Sequence, residues 1–180
     1  MRMLRSFALL ALLSMLGACA SQIVEPDIKT TPRPVMKALE SISVDLSPKA
    51  KEQLADNVKF DVDALRRKLE LSLKSRNLIA PDGDYRLKVS VTDIRVRGTF
   101  SAVMLGFMAG DDHLIGDNDL LKKPEDGKEG GDSVYQFKVK TSYAFGGLAG
   151  GQDSMRIDWL YEEFSKKVAE KLMALRDGKQ

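Results

Sequence analysis

The chain has a single cysteine, Cys19, and it stands at the end of an uncharged apolar run. With no second cysteine to close an internal disulfide, a domain built from this sequence must be held by its core. Arg2 and Arg5 form a short positive segment, and Phe7 to Leu16 (Phe-Ala-Leu-Leu-Ala-Leu-Leu-Ser-Met-Leu) follows without a charge. Basic residues ahead of a run of this length are the pattern of a signal peptide. The run is too short for a spanning helix, which needs about 20 apolar residues.

Leu16-Gly17-Ala18-Cys19 resembles the bacterial lipobox, with Gly17 where Ala or Ser is more usual. The resemblance implies that the Cys19 thiol receives a diacylglyceryl group, that a signal peptidase cuts between Ala18 and Cys19, and that the new amine is acylated. Small residues at 17 and 18 suit a protease cleft that must admit the backbone closely. Each buried methylene adds about 0.8 kcal/mol to membrane binding, so two or three acyl chains anchor stably where one does not. Residue 20 is Ala, not the Asp associated with inner-membrane retention in enteric bacteria. That implies the outer membrane, facing the periplasm. An ordinary secretory signal with an incidental cysteine is the alternative.

The formal charge of +2 comes from 28 basic and 26 acidic residues, and Arg2 and Arg5 leave with the signal. The mature chain is therefore neutral, which argues against a nucleic-acid partner. The expected organisation is a signal peptide at 1–18, a lipidated N-terminus and proline-containing tether at 19–37, and one α+β domain at 38–177. Ser21 to Pro34 is polar, and Pro26, Pro32 and Pro34 favour extended chain that spaces the domain from the bilayer. The domain is long enough to bury a core of its own.

Leu39 to Leu46 alternates, with Ile42, Val44 and Leu46 on one face, as a half-buried strand does. Ser47-Pro48 reads as a cap and first helical residue, opening a short helix to about Asn57. Asp61 caps a stronger helix whose stripe is Val62, Leu65, Leu69 and Leu73. Its basic residues, Arg66, Arg67, Lys68, Lys74 and Arg76, lie mostly off that stripe and read as a solvated face. Pro81-Asp82-Gly83 is turn chemistry. Asp84 to Arg97 is a long strand whose apolar parity switches at Thr92-Asp93, which predicts a β-bulge there. Val134 to Phe145 is the cleanest strand. Asp153 or Ser154 caps a last helix with a stripe of Ile157, Leu160, Phe164, Val168, Leu172 and Leu175, edged by Trp159 and Tyr161. Glu162 with Lys166 and Glu163 with Lys167 stand four apart, the spacing of a weak helix-surface ion pair. These elements make a mostly antiparallel sheet of about three to five strands with two amphipathic helices packed on one face.

Three segments carry the functional expectations. Gly98 to Gly110 is apolar, uncharged and punctuated by glycine. Met104, Leu105, Phe107 and Met108 make it an adaptable surface for a partner or lipid, or else a buried arm of the core. Asp111 to Asp132 is polar and glycine-rich and reads as a mobile loop. Asp111, Asp112, Asp117, Asn118 and Asp119 invite a calcium reading, but the glycine and glutamate of an EF-hand loop are missing from their places. Gly146 to Gly151 precedes a helix, yet has neither the P-loop Lys-Ser/Thr nor the dinucleotide glycine spacing. It reads as a connection. No metal or cofactor is expected. With one histidine, a Ser-His-Asp triad would depend on His113 alone, so no catalytic set is expected.

The order of these segments is similar to that of the bacterial lipoproteins grouped as domain of unknown function 4410. The residues that carry the resemblance are Asp84-Tyr85-Arg86-Leu87 entering the long strand, Gly98 at its end, Leu105-Gly106-Phe107-Met108-Ala109-Gly110, and the glycines 146–151. It spans roughly residues 38–175, and the segment 111–132 is longer than the family leads one to expect. The family has no assigned activity, so the resemblance implies a place in the envelope and no catalytic residues. Three functions follow as expectations. The first is a non-catalytic accessory or binding subunit held to the membrane by its lipid, with an envelope protein as partner. The second is a lipid-binding transport-auxiliary lipoprotein, and the third an envelope hydrolase.

Overall fold

The structure, a computed structural model, describes residues 19–25, 34–56, 59–98, 110–124, 131–144 and 152–178. Five strands form one sheet: β1 (Cys19–Val24), β2 (Leu39–Leu46), β3 (Tyr85–Arg95), β4 (Asp112–Lys122) and β5 (Asp132–Tyr143). Three helices accompany it: α1 (Pro48–Asp56), α2 (Val62–Lys74) and α3 (Asp153–Arg176). The sheet order is β1-β5-β4-β3-β2, antiparallel throughout except for the parallel β2–β3 pair. A parallel neighbour needs a crossover, and α1 and α2 supply it between β2 and β3. The α+β expectation and its mostly antiparallel sheet stand. The short helix after Pro48 makes the helix number three.

One face of the sheet is apolar because each strand alternates. Leu87, Val89 and Val91 of β3 are buried, and so are Phe137, Val139 and Thr141 of β5. Onto this face pack Leu65, Leu69 and Leu73 of α2 and the whole α3 stripe from Ile157 to Leu175, with Ala50 of α1 joining the same core. The register of β3 against β4 slips between Val91 and Asp93, the predicted bulge, and it returns Ile94 to the buried face. Asp61 caps α2 as predicted, its side chain accepting from the amides of Asp63 and Ala64. The helix ends where Asn77 takes a φ of 53°, the left-handed conformation that asparagine tolerates better than most residues.

Four expectations need correction. The segment 111–132 is not a loop along its first half. Asp112 to Lys122 is β4, which pairs on both sides in the middle of the sheet. Its buried parity is Asp112, Leu114, Gly116, Asn118 and Leu120. Three of those five inward residues are not hydrophobic, so the alternation was hidden. Each has a local reason. A Cβ at Gly116 would lie 2.7 Å from the Phe164 ring of α3, so only glycine admits that ring. The Asn118 side-chain amide donates to the carbonyls of Gly116 and Phe137. The role of Asp112 is described below.

The second correction concerns the tether. Cys19 to Val24 is an edge strand, paired residue by residue with β5 from Cys19 opposite Tyr143 to Val24 opposite Lys138. Ser21 donates to Glu163 of α3 at 2.8 Å, Ile23 packs on the core, and Glu25 pairs with the buried Lys171. The polar composition of 21–25 had argued for a solvated spacer, but an edge strand with one solvated face carries the same composition.

Third, α3 is capped by neither Asp153 nor Ser154. Gln152 holds the cap position without a side-chain bond, and Asp153 opens the helix. Fourth, the α3 surface pairs form three apart rather than four, Lys166 with Glu163 and Lys167 with Glu170. The basic residues of α2 are largely exposed, as expected of a solvated face, and they also find carboxylate partners. Arg66 meets Asp63 and Glu70, Arg67 meets Asp61, and Lys68 meets Asp158.

Candidate functional site

The strand registers bring several of the singled-out positions to one end of the sheet. Cys19 and Asp112 both stand opposite Tyr143, on either side of β5, and Arg95 stands opposite His113. Gly98 and Gly110 flank the apolar segment at this same end. Met104, Leu105, Phe107 and Met108 lie outside the described residues, as do Ala18 and the glycines 146–151.

Beneath this end is a buried ionic network. The Arg97 guanidinium reaches both oxygens of Asp112, Nε to Oδ1 at 3.1 Å and Nη2 to Oδ2 at 3.2 Å. The Arg97 amide donates to Oδ1 at 2.6 Å. Arg156, in the first turn of α3, donates through Nε to Asp112 Oδ2 at 2.7 Å and through Nη2 to Asp153 Oδ1 at 2.8 Å. Lys59 pairs with the other Asp153 oxygen. The side chains of Asp112 and Arg156 are 0% exposed and that of Arg97 is 2%.

The guanidinium groups also serve the backbone. Arg97 donates to the carbonyls of Gly110 at 2.5 Å and Tyr143 at 3.3 Å, and Arg156 donates to the Arg97 carbonyl at 2.7 Å. Carbonyls at the end of a sheet normally turn to water. Here three of them are satisfied by buried cations, and β3, β4, β5 and α3 are joined at one point. A buried charge is tolerated only when paired and hydrogen-bonded to this degree.

Above the network, Asp93 sits at the bulge. Burial pushes its carboxyl up, but hydrogen bonds from Lys49, Gln53 and His113 outweigh that and hold it at about 2. His113 is thus a strand residue between two carboxylates, with Nε2 3.2 Å from Asp93 and Nδ1 3.6 Å from Asp111. The acidic group weighed and set aside as a calcium site is split by the pleat of β4. Asp112 and Asn118 point into the core, while Asp117 and Asp119 lie on the outer side. Among the described residues no three acidic, histidine or cysteine side chains converge as metal ligands.

A second feature lies between α2 and the start of α3, a groove of about 900 Å³ lined by Lys59, Ala64, Arg67, Leu71, Ile157 and Tyr161. Tyr161 forms its floor, edge-on to Phe60 at 5.2 Å and accepting from the Asp61 amide. Burial raises the Tyr161 hydroxyl to about 12, against the smaller lowering effect of that amide.

Sequence reasoning missed the roles of Arg97, Asp112 and Arg156, though two of them left a signal. Arg156 precedes Leu160 and Phe164 at four-residue spacing, and Asp112 shares the parity of Leu114 and Leu120, so each is a charge at a core-parity position. Two such misfits of opposite sign predict each other as partners. Arg97 lies beyond the end of β3, three residues after Ile94, and carries no parity signal.

A family model described as a domain of unknown function (DUF4410) matches residues 25–147. No curated protein matches the chain. Among solved structures it is similar to the PelC dodecamer from Paraburkholderia phytofirmans, at 13% identity and a TM-score of 0.45, over 86% of this chain and 96% of that one. It is also similar to a chain from Caulobacter crescentus CB15, at 20% identity and a TM-score of 0.46, over 65% and 83%. A minor lipoprotein from Acinetobacter baumannii is 12% identical with a TM-score of 0.42, over 78% and 93%. All three likenesses are distant.

Proposed function

The chain belongs to the DUF4410 family, and on that premise we propose that it is a non-catalytic bacterial envelope lipoprotein, anchored through Cys19. It works as an accessory or binding subunit on the periplasmic side of the outer membrane. The observation that carries the reading is the lipobox-like Leu16-Gly17-Ala18-Cys19 behind a basic and then apolar leader. The non-catalytic reading draws support from His113, whose ring, among the described residues, faces the carboxylates of Asp93 and Asp111. No helix among the described residues is long and apolar enough to cross a membrane.

The test is metabolic labelling with palmitate followed by membrane fractionation. The wild type should carry label and float with outer-membrane vesicles, and Cys19→Ala should lose both. Unlabelled wild type in the soluble periplasm would sink the reading. His113→Ala should leave any envelope phenotype of the gene intact, and a loss would revive an enzyme. The partner is approached by photo-crosslinking from Phe107 in cells, where one envelope protein as main adduct supports an accessory subunit.

A lipid-carrying role is the second reading, favoured by the groove between α2 and α3. The groove lies between the helices rather than between helices and sheet, where the core cluster fills the space. Lipid extracted from protein that lacks the acyl anchor would support this reading over the first.

A further inference from the structure

We propose that the domain sits directly on the bilayer, with the sheet end that carries Cys19 pressed against the headgroups and no tether between them. The inference rests on the lipid-anchored reading above and adds to it an orientation and a contact surface.

The first observation is chain length. If Cys19 becomes the acylated N-terminus, the residues available as spacer are those between Cys19 and the folded domain, and there are none. Cys19 is paired with Tyr143, Ala20 with Ser142 and Ser21 with Thr141. The proline-bearing stretch expected to act as a spacer comes after β1, so it links two strands of one sheet and cannot lengthen the anchor. Where Cys19 is held, the end of β5 is held.

The second observation is independent of lipidation. The same end is where the carbonyls of Arg97, Gly110 and Tyr143 accept from buried guanidinium groups instead of water. Such a cap is costly in a sheet that ends in solvent, where water would serve. It suits an end held against a surface that excludes water, since an unsatisfied carbonyl facing lipid costs several kcal/mol. A third observation comes from sequence and topology. The chain leaves this end at Gly98 and returns to it at Gly110, and the eleven residues between carry no charge. The partner of the Cys19 end is therefore the phospholipid surface in which its own acyl chains lie.

The experiment uses the mature, acylated full-length protein in vesicles of phosphatidylethanolamine and phosphatidylglycerol doped with headgroup-nitroxide lipid. Because Cys19 is the only cysteine and is acylated, an introduced cysteine is the only free thiol for a fluorescent probe. Gly98→Cys places the probe at the near end, where an added Cβ meets nothing within 4 Å. Asp82→Cys places it at the far end, about 40 Å away at roughly 3.3 Å per strand residue. The proposal expects quenching several-fold stronger at 98 than at 82. It also expects that difference to vanish when a flexible Gly/Ser insert of about ten residues follows Cys19. Equal quenching at the two positions in acylated protein would overturn the seating and leave the anchor standing. A difference that survives the insert would also overturn it, because β1 would not be what sets the orientation. An intact mass without acyl chains would remove the anchor, and the seating with it.

Discussion

The two ends of the sheet each carry a carboxylate bridged by two cations, and the two clusters behave oppositely. At the Cys19 end Asp112 is shared by Arg97 and Arg156, with the three side chains at most 2% exposed. At the other end Glu40 of β2 is shared by Arg86 of β3, at 2.8 Å, and Lys123 beyond β4, at 2.6 Å. These three side chains are 25%, 31% and 38% exposed. The geometry of the ion pairs is similar. The surroundings are not, because only the first cluster also satisfies backbone carbonyls and excludes water. A salt bridge at a surface contributes little, whereas one partner lost from a buried cluster leaves a charge stranded. The Cys19 end is thus a fixed plate and the Glu40 end a set of side chains that can part without consequence.

The largest effect that would sharpen this contrast is expected from Asp112→Asn. The shape is kept, but the buried Arg97 loses its carboxylate and the buried Arg156 keeps only Asp153. A destabilisation of about 3–5 kcal/mol is expected, read as a lower midpoint in urea unfolding, with little change between low and high salt. Because domains of this size have only about 5–15 kcal/mol to lose, the variant should remain measurable at low temperature. A loss comparable to that of a surface pair would break the comparison, since the network would then be solvated in practice.

A smaller effect lies at the same end and depends on pH. Asp93 is held at about 2, against the pull of burial, by Lys49, Gln53 and His113. A carboxyl with a lowered folded value binds fewer protons folded than unfolded. Its stabilising contribution is therefore present above about pH 4 and is lost as pH falls towards 2. Urea midpoints measured across that window should fall less steeply for Asp93→Asn than for wild type. Parallel acid limbs would mean that Asp93 is not coupled to the fold.

How much of this could be read from the residues divides along the same line. The strands and helices with pure apolar stripes were legible, from Leu65-Leu69-Leu73 to Ile157-Leu160-Phe164, and so was the bulge at Thr92-Asp93. Their burial pattern is their sequence pattern. β4 was not legible, because Asp112, Gly116 and Asn118 occupy inward positions for reasons that live in other elements: two arginines, one phenylalanine ring and a neighbouring carbonyl. β1 was not legible either, since an edge strand with one wet face has the composition of a linker. The lipobox-like cysteine was visible at once. That it begins a strand of the sheet depends on the pairing with Tyr143, a contact 124 positions away in the chain, which no local pattern encodes.

The smallest effect is expected from Glu40→Gln at the opposite end. Hydrogen bonds from Lys123 and Arg86 hold the Glu40 carboxyl below the usual carboxylate range, with burial a weaker opposing influence. The shift records a real contact, but both cations stay hydrated and solvent takes up the interaction when the charge goes. The unfolding midpoint should move slightly at low salt and not at all at high salt, where the Asp112→Asn deficit persists. The decisive quantity is the salt dependence, because an exposed pair is screened and a buried one is not. If Glu40→Gln showed a salt-independent loss rivalling that of Asp112→Asn, solvent exposure would not be what separates the two ends. The dry carbonyl cap would then lose its standing as a mark of the membrane side.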